Sequence, residues 1–378
     1  MPDWRVIDSL DSVSTAEWQT LQTGDNPFLS RAFLYGLEKF GCLANQQWQS
    51  AHIVLEENNT LLGMMPLYIK QDSYGEFVFD WAWADAYHRA GHAYYPKLVS
   101  AVPFTPVSGP RLLIAEHADI DTCRARLVEA VRTLIEENRL SSAHVLFPDE
   151  DEMQTYTEHQ AMSRLTIQFH WLNDGYRDFS DFTDRMTSKK RKKLLRERRD
   201  VISAGVEIER LTGSDITEAH WQVFHDFYCS TFYKKWGEPR MNLDFFLWLG
   251  ETIPDQTLLI LAKQNNRYIA GAFAMQDRDT LYGRHWGCNT EVPFLHFELC
   301  YYQTIEHVLE NGLLKLDAGV QGEHKLARGF SPVGMSSAHW IREQAFSQAI
   351  KDYLKRETGM VREHIAMLET HLPYKQTG

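Results

Sequence analysis

Cysteine is scarce and scattered in this 378-residue chain: Cys42, Cys123, Cys229, Cys288 and Cys300 are odd in number and form no C-x-x-C pair. That excludes a zinc ribbon and a dithiol redox motif, and leaves reduced, mostly buried thiols. No apolar run reaches bilayer-spanning length, and the start "MPDWRVIDSLDSVSTAEW" lacks the basic and apolar stretches of a secretory signal. The expectation is a cytoplasmic protein without a membrane span. Also missing are a Walker loop, a Rossmann fingerprint and a G-x-S-x-G elbow, so the commonest nucleotide-binding and hydrolase sites are not expected. Asp85, His88 and His92 have a spacing that suits metal ligands on a helix, but Gly91 and the aromatic surroundings break that pattern, and no metal is expected. "DEDE" at 149–152 reads as a solvated acidic loop.

What is present is a folded, soluble composition, with 44% hydrophobic and 24% charged residues and abundant aromatics. The length suggests two domains. A net charge of -12 argues against nonspecific coating of nucleic acid, so any polyanion contact must be local. One stretch concentrates positive charge: "TSKKRKKLLRERRDV" (187–201) carries eight Lys or Arg in fifteen residues. Helical spacing puts Leu194, Leu195, Val201 and Ile202 on one apolar stripe and Lys192, Arg196 and Arg199 on another face, with Lys189 adding charge near the start. The segment 187–204 reads as an amphipathic basic helix. It is either a solvated face, partly neutralised by Glu197 and Asp200, or a polyanion-binding surface working by counterion release.

Two halves of the chain follow one plan. "AHIVLEENNTLLGMMPLYIKQ" (51–71) gives two strands joined at Asn58-Asn59, and "GEFVFDWAWADAY" (75–87) reads as a third. "TLLILAKQNNRYIAGAFAMQDRDTLYGRHWGC" (257–288) repeats that layout around Asn265-Asn266, with Gly271 echoing Gly63. Each meander is followed by a helix and a strand, "CRARLVEAVRTLIEEN" then "SAHVLF" in the first half, "FELCYYQTIEHVLENG" then "LKLDAGV" in the second. The order implies mixed, mostly antiparallel sheets flanked by helices.

This doubled plan resembles tandem GNAT domains as found in FemAB-type aminoacyl transferases. "YYPKLVSAVPFTPVSGPRLL" (94–113) and "GVQGEHKLARGFSPVGMSSAHW" (319–340) resemble signature segments of the bacterial family labelled peptidoglycan biosynthesis/recognition. The resemblance covers nearly the whole chain. It implies an α/β fold of two GNAT-like domains, 1–175 and 176–378, the second including the basic helix. It also implies an acyl or aminoacyl transferase that forms an amide on an amine acceptor, with aminoacyl-tRNA or acyl-CoA as donor and tRNA as the leading polyanion for the basic run. The glycine-rich pyrophosphate loop of CoA-dependent GNAT enzymes has no counterpart in "GCNTEVPFLHFE" (287–298), which disfavours CoA. A noncatalytic module that binds cell-wall precursors or RNA is the reading from another class.

Candidate site residues follow from chemistry and position. In "GEHKLARGF" (322–330), Lys325 and Arg328 suit a phosphate or carboxylate, while Glu323 or His324 suits proton removal from an attacking amine. In "YGRHWG" (282–287), two glycines interrupt a strand, as at a bulge or a close ligand approach; His285 is a candidate base, and Arg284 and Trp286 are substrate contacts. Tyr95, Thr105 and Arg111, in the first half's signature segment, are expected to line a substrate groove.

Overall fold

The computed structural model describes residues 2–234, 237–320 and 322–375. Local chemistry sets the two hairpins at the centre of each half. Asn58 and Asn59, and again Asn265 and Asn266, all take positive φ, between 51° and 61°. Two successive left-handed residues make the tight turn whose twist suits a hairpin, and asparagine tolerates that conformation better than other non-glycine residues. Both ladders then shift register after two pairs, Glu57↔Thr60 and Glu56↔Leu61 in one, Gln264↔Arg267 and Lys263↔Tyr268 in the other. Leu62 and Ile269 are therefore the equivalent bulged residues, and Gly63, opposite Leu55, corresponds to Ala270, opposite Ala262. The expected match of Gly63 with Gly271 is one residue out of register, which in a strand means the opposite face.

The chain forms two compact units, residues Met1–Ile167 with Gly334–His364, and Gln168–Val333 with Ile365–Gly378. It passes from one to the other inside strand Met162–Leu172, strand Ser331–Ile341 and helix Gln344–Glu369. This division differs from the expected 1–175 and 176–378, because a strand end and most of the last helix, both late in sequence, fold with the first half.

In the first unit, Asp3–Ile7, His52–Glu57, Thr60–Met65 and Leu113–Ile114 form a four-stranded antiparallel sheet. Helix Ile120–Glu137 packs on it through Leu127, Val128 and Val131, which share a core with Ile53, Leu55 and Val145. The strand expected within 75–87 is a loop followed by helix Trp81–Arg89. Trp83 and Tyr87, four residues apart, are buried on one side of that helix, so a run that alternates like a strand also satisfies a helix. Its place as the third strand is taken by Leu113–Ile114.

In the second unit, Val206–Thr212, Thr257–Gln264, Arg267–Gln276 and Thr280–Cys288 pair antiparallel in sequence order. Strand Thr280–Cys288 also runs parallel to Lys315–Asp317, which pairs with His170–Leu172. Helix Glu218–Tyr233 packs on this sheet so closely that a Cβ at Gly287 would lie 1.9 Å from the Phe227 carbonyl oxygen. The basic segment is helical over Ser188–Ser203.

Candidate active site

The site begins with one extra residue. Strand Thr280–Cys288 keeps its partner Arg267–Gln276 in register through Phe273↔His285 and Ala274↔Gly283, which leaves Arg284 without an opposite number. On its other edge the strand pairs with Lys315–Asp317 only as far as Tyr282↔Asp317. Beyond that point the two parallel strands part, and a cavity of about 320 Å³ opens between them. The bulge expected from the paired glycines is present, and it lies where the strands separate.

Three walls enclose the cavity. Phe273, His285 and Trp286 come from the sheet; His296, Cys300 and Tyr301 from the helical segment that follows it; His324 and Lys325 from the turn Glu323–Arg328. The segment holding Cys300 and Tyr301 is a π-helical turn, Glu298–Tyr302, an insertion often found where helices line functional sites. Gly322 has φ of 102°, and a Cβ there would lie 2.4 Å from the His324 ring, so glycine is needed on both counts.

The charges in this cavity are unequal in availability. Arg284 and Asp317 form a buried ion pair, Nη2 to Oδ2 at 3.0 Å, and Arg284 also donates to the Asp317 and Gly283 carbonyls. Burial disfavours the Asp317 charge, yet Arg284 and the Gly319 N–H hold the carboxyl at about 2. Arg284, expected as an anion contact, has its charge matched inside the protein. Lys325 is only 4% exposed, and its ammonium donates to the Ala318 and Gly319 carbonyl oxygens with no carboxylate in salt-bridge contact among the described residues. Burial pushes this amine down to about 8, with Arg284 adding to the shift and Asp317 opposing it.

The imidazoles are all depressed by burial. His285 stacks on Phe273, with Tyr228 edge-on, and is held at about 3 by burial and then by Arg284 and Arg240. A base that weak takes little part in proton transfer near neutrality. His296 is held at about 4 by burial and the charges near it. His324 is more exposed, lies 2.9 Å from the Tyr301 hydroxyl through Nε2, and is lowered by burial and then by Arg328 and Lys325. In the tautomer in which Nε2–H donates to the Tyr301 hydroxyl, Nδ1 is the nitrogen that can accept a proton. Glu323 is exposed and does not line the cavity.

Arg328, expected to grip an anion, points inward instead. It is 4% exposed, with Nη2 2.8 Å from Glu197 of the basic helix, Nε 3.1 Å from the Tyr302 hydroxyl, and Nη1 donating to the His324 carbonyl at 2.8 Å. Its guanidinium also lies 3.4 Å above the centre of the Phe297 ring. The hydroxyl of Tyr302 in turn donates to Glu197. This clasp fixes the backbone of the turn that carries His324 and Lys325.

None of the first-half candidates lines this cavity. Arg111 is buried, and its guanidinium donates to the carbonyls of Val107, Gly109, Pro110 and Leu146, so it shapes the proline-rich loop from within. Glu152 is the buried counterpart: it accepts from the N–H groups of Arg111 and Leu112 and from Tyr156, so "DEDE" is not wholly a solvated loop. Thr105 is buried, and Tyr95 meets Ser73 through its hydroxyl at 2.8 Å.

Asp317, Tyr301 and His296 escaped the sequence reading, and Glu197, expected to neutralise part of the basic face, binds Arg328 instead. Asp317 gives a faint signal, an acid ending the apolar strand "LKLD"; Tyr301 sits in an ordinary helical pattern and gives none.

Residues 9–376 match the model of the FemAB-like family, described as peptidoglycan biosynthesis/recognition. Among solved structures, FemX aligns with a TM-score of 0.53 at 10% identity, over 92% of this chain and 100% of the FemX chain. A conserved protein of unknown function from Bacteroides thetaiotaomicron gives 0.52 at 12% identity, over 91% and 100%. The C-terminal domain of a putative lysylphosphatidylglycerol synthetase from Agrobacterium fabrum gives 0.50 at 10%, over 84% and 95%. Identities this low establish a shared fold and nothing finer. No curated protein matches the sequence. The mixed α/β fold, with the same hairpin layout in both halves, agrees with the expectation from sequence.

Proposed function

The chain belongs to the FemAB-like family, and on that premise we propose that it is an acyl or aminoacyl transferase whose reaction takes place where strands Thr280–Cys288 and Lys315–Asp317 part. The observation that carries this reading is the pairing of that opening with a buried ammonium at Lys325, which has no carboxylate in salt-bridge contact among the described residues, and an imidazole at His324 whose protonation burial disfavours.

The amine nitrogen of the acceptor attacks the acyl carbonyl and forms the new C–N bond. Its proton passes to His324 Nδ1, and the negative oxygen that develops faces the Lys325 ammonium. Collapse breaks the bond to the donor's leaving oxygen, which takes the proton back from His324. No covalent enzyme intermediate is needed, because alignment of the two substrates lowers the barrier by itself. Phe273, Trp286 and Tyr301 wall in the acyl group. Arg284 and Arg328 act as positioning residues, one holding the splay and the other the turn.

An oxygen ester such as aminoacyl-tRNA fits this site better than acyl-CoA. The approach to helix Leu295–Phe297 contains Pro293, which has no N–H, and a left-handed Phe294 without a side-chain cap, where a pyrophosphate would need consecutive backbone donors. The acceptor to test first is a peptidoglycan precursor bearing a free side-chain amine, given the family's description.

The test is to incubate the protein with a panel of aminoacyl-tRNAs and acyl-CoAs plus that acceptor and to follow the amide product by mass spectrometry. Lys325→Gln and His324→Gln should lose product while melting as the wild type does. Product formation unchanged in both variants would remove the cavity from the mechanism, and binding of acceptor without turnover by any donor would favour the noncatalytic module.

A further inference from the structure

The basic helix Ser188–Ser203 departs from its expected pattern in one respect. Of the four aliphatic residues placed on a single apolar stripe, Leu194 and Val201 are buried, but Leu195 is 39% and Ile202 67% exposed. Seven residues apart, they stand on one side of the helix, next to the outward cations. The helix also divides its basic residues by task. Arg191 pairs with Asp184, and Arg198 with Glu298 and Glu306. Lys189, Lys190, Lys192, Lys193, Arg196 and Arg199 make no ion pair among the described residues, and with Leu195 they border one open surface depression. Asp200 is the one acid exposed on this outer side of the helix.

An RNA backbone has use for the cations but offers nothing to the two aliphatic side chains, and a merely solvated face has use for neither. A surface with phosphates outside and hydrocarbon just beneath uses both. The geometry points to docking of this helix on an anionic lipid bilayer, with the unpaired cations at the headgroup phosphates and Leu195 and Ile202 below them. The helix lies on the membrane and does not span it; no helix among the described residues is long and apolar enough to cross one. Because Glu197, bound to Arg328 and Tyr302, and Arg198 already hold its inner side, the helix has no folding left to do on binding. The inference is independent of the chemistry proposed for the cavity.

Flotation with phosphatidylcholine vesicles, with and without phosphatidylglycerol, tests it at low and high salt. The wild type should float only with the anionic vesicles, and less as salt rises. Joint replacement of Lys192, Arg196 and Arg199 by Gln should weaken partition roughly a hundredfold, and Leu195→Ser with Ile202→Ser roughly tenfold, both without a change in melting temperature. Absence of the wild type from anionic vesicles at low salt would overturn the proposal. So would full binding by the Leu195→Ser, Ile202→Ser variant; retention of tRNA by that variant and by the wild type, with no vesicle binding, would return the face to RNA.

Discussion

Lys97 and Lys325 are both buried with almost no exposure, and they are buried in opposite ways. In the first unit, the Lys97 ammonium donates to Ser73 at 2.8 Å, Glu76 at 2.8 Å and Asp80 at 2.5 Å. Burial would lower its pKa, but the two carboxylates more than compensate and raise it. In the second unit, the Lys325 ammonium donates to backbone carbonyls, and burial outweighs the influence of Asp317. The contrast separates a charge that organises structure from one kept available. Lys97 ties together three points of the loop 73–80, and Tyr94 and His144 extend the network behind it. Lys325 is supported from behind and open toward a cavity.

The sharpest break would come from removing each ammonium. Lys97→Met leaves Glu76 and Asp80 buried without their cation and should cost about 3–5 kcal/mol in urea unfolding. Lys325→Met should cost far less, since no carboxylate is orphaned. Equal losses would end the distinction between the two sites.

Turnover should respond in the reverse order. Lys325→Gln is expected to lower kcat/KM by about a hundredfold or more, the scale of losing one oxyanion donor, with melting nearly unchanged. A fall in melting as large as that of Lys97→Met would make Lys325 structural too.

Arg328→Lys probes the clasp. A lysine cannot reproduce the three-sided donation to Glu197, Tyr302 and the His324 carbonyl, so stability should drop by about 1–3 kcal/mol and activity with it. Unaltered unfolding and altered donor affinity would instead assign the arginine to the substrate.

The smallest effect is a pH slope. Two carboxylates share one ammonium at Lys97, and burial raises Glu76 to about 7 against an ordinary 4.5. The folded state thus holds a proton that the unfolded state has lost. Glu76 contributes stability below about 4.5 that disappears as pH rises through about 7. Glu76→Gln should flatten that decline in a series of urea titrations, and an unchanged slope would place the proton elsewhere.

Legibility in the sequence followed the range of the interactions involved. The Asn-Asn turns, the strands around them and the helix Ile120–Glu137 obey local rules and were readable. The segment 75–87 was not, because Glu76 and Asp80 take their positions from Lys97, which lies further along the chain. The same holds for the site. "GEHKLARGF" and "YGRHWG" announced themselves by glycines and charge, and both do border the cavity. That Arg284 and Arg328 are consumed by Asp317 and Glu197 depends on partners far from them in sequence. Ile202 shows the limit of periodicity: its helical spacing matches Val201's neighbourhood, and only packing decides which of two adjacent aliphatics turns inward.

The clasp also decides what can be moved between related proteins. Residues 322–330 look like a self-contained cassette, yet the carbonyl of His324 is held by Arg328, which is held by Glu197 and Tyr302 from two other helical segments. Transplanting the cassette alone would carry its side chains without their aim. The smallest portable form of this turn includes positions 197 and 302, and a chimera built on that rule would inherit a turn already set in place.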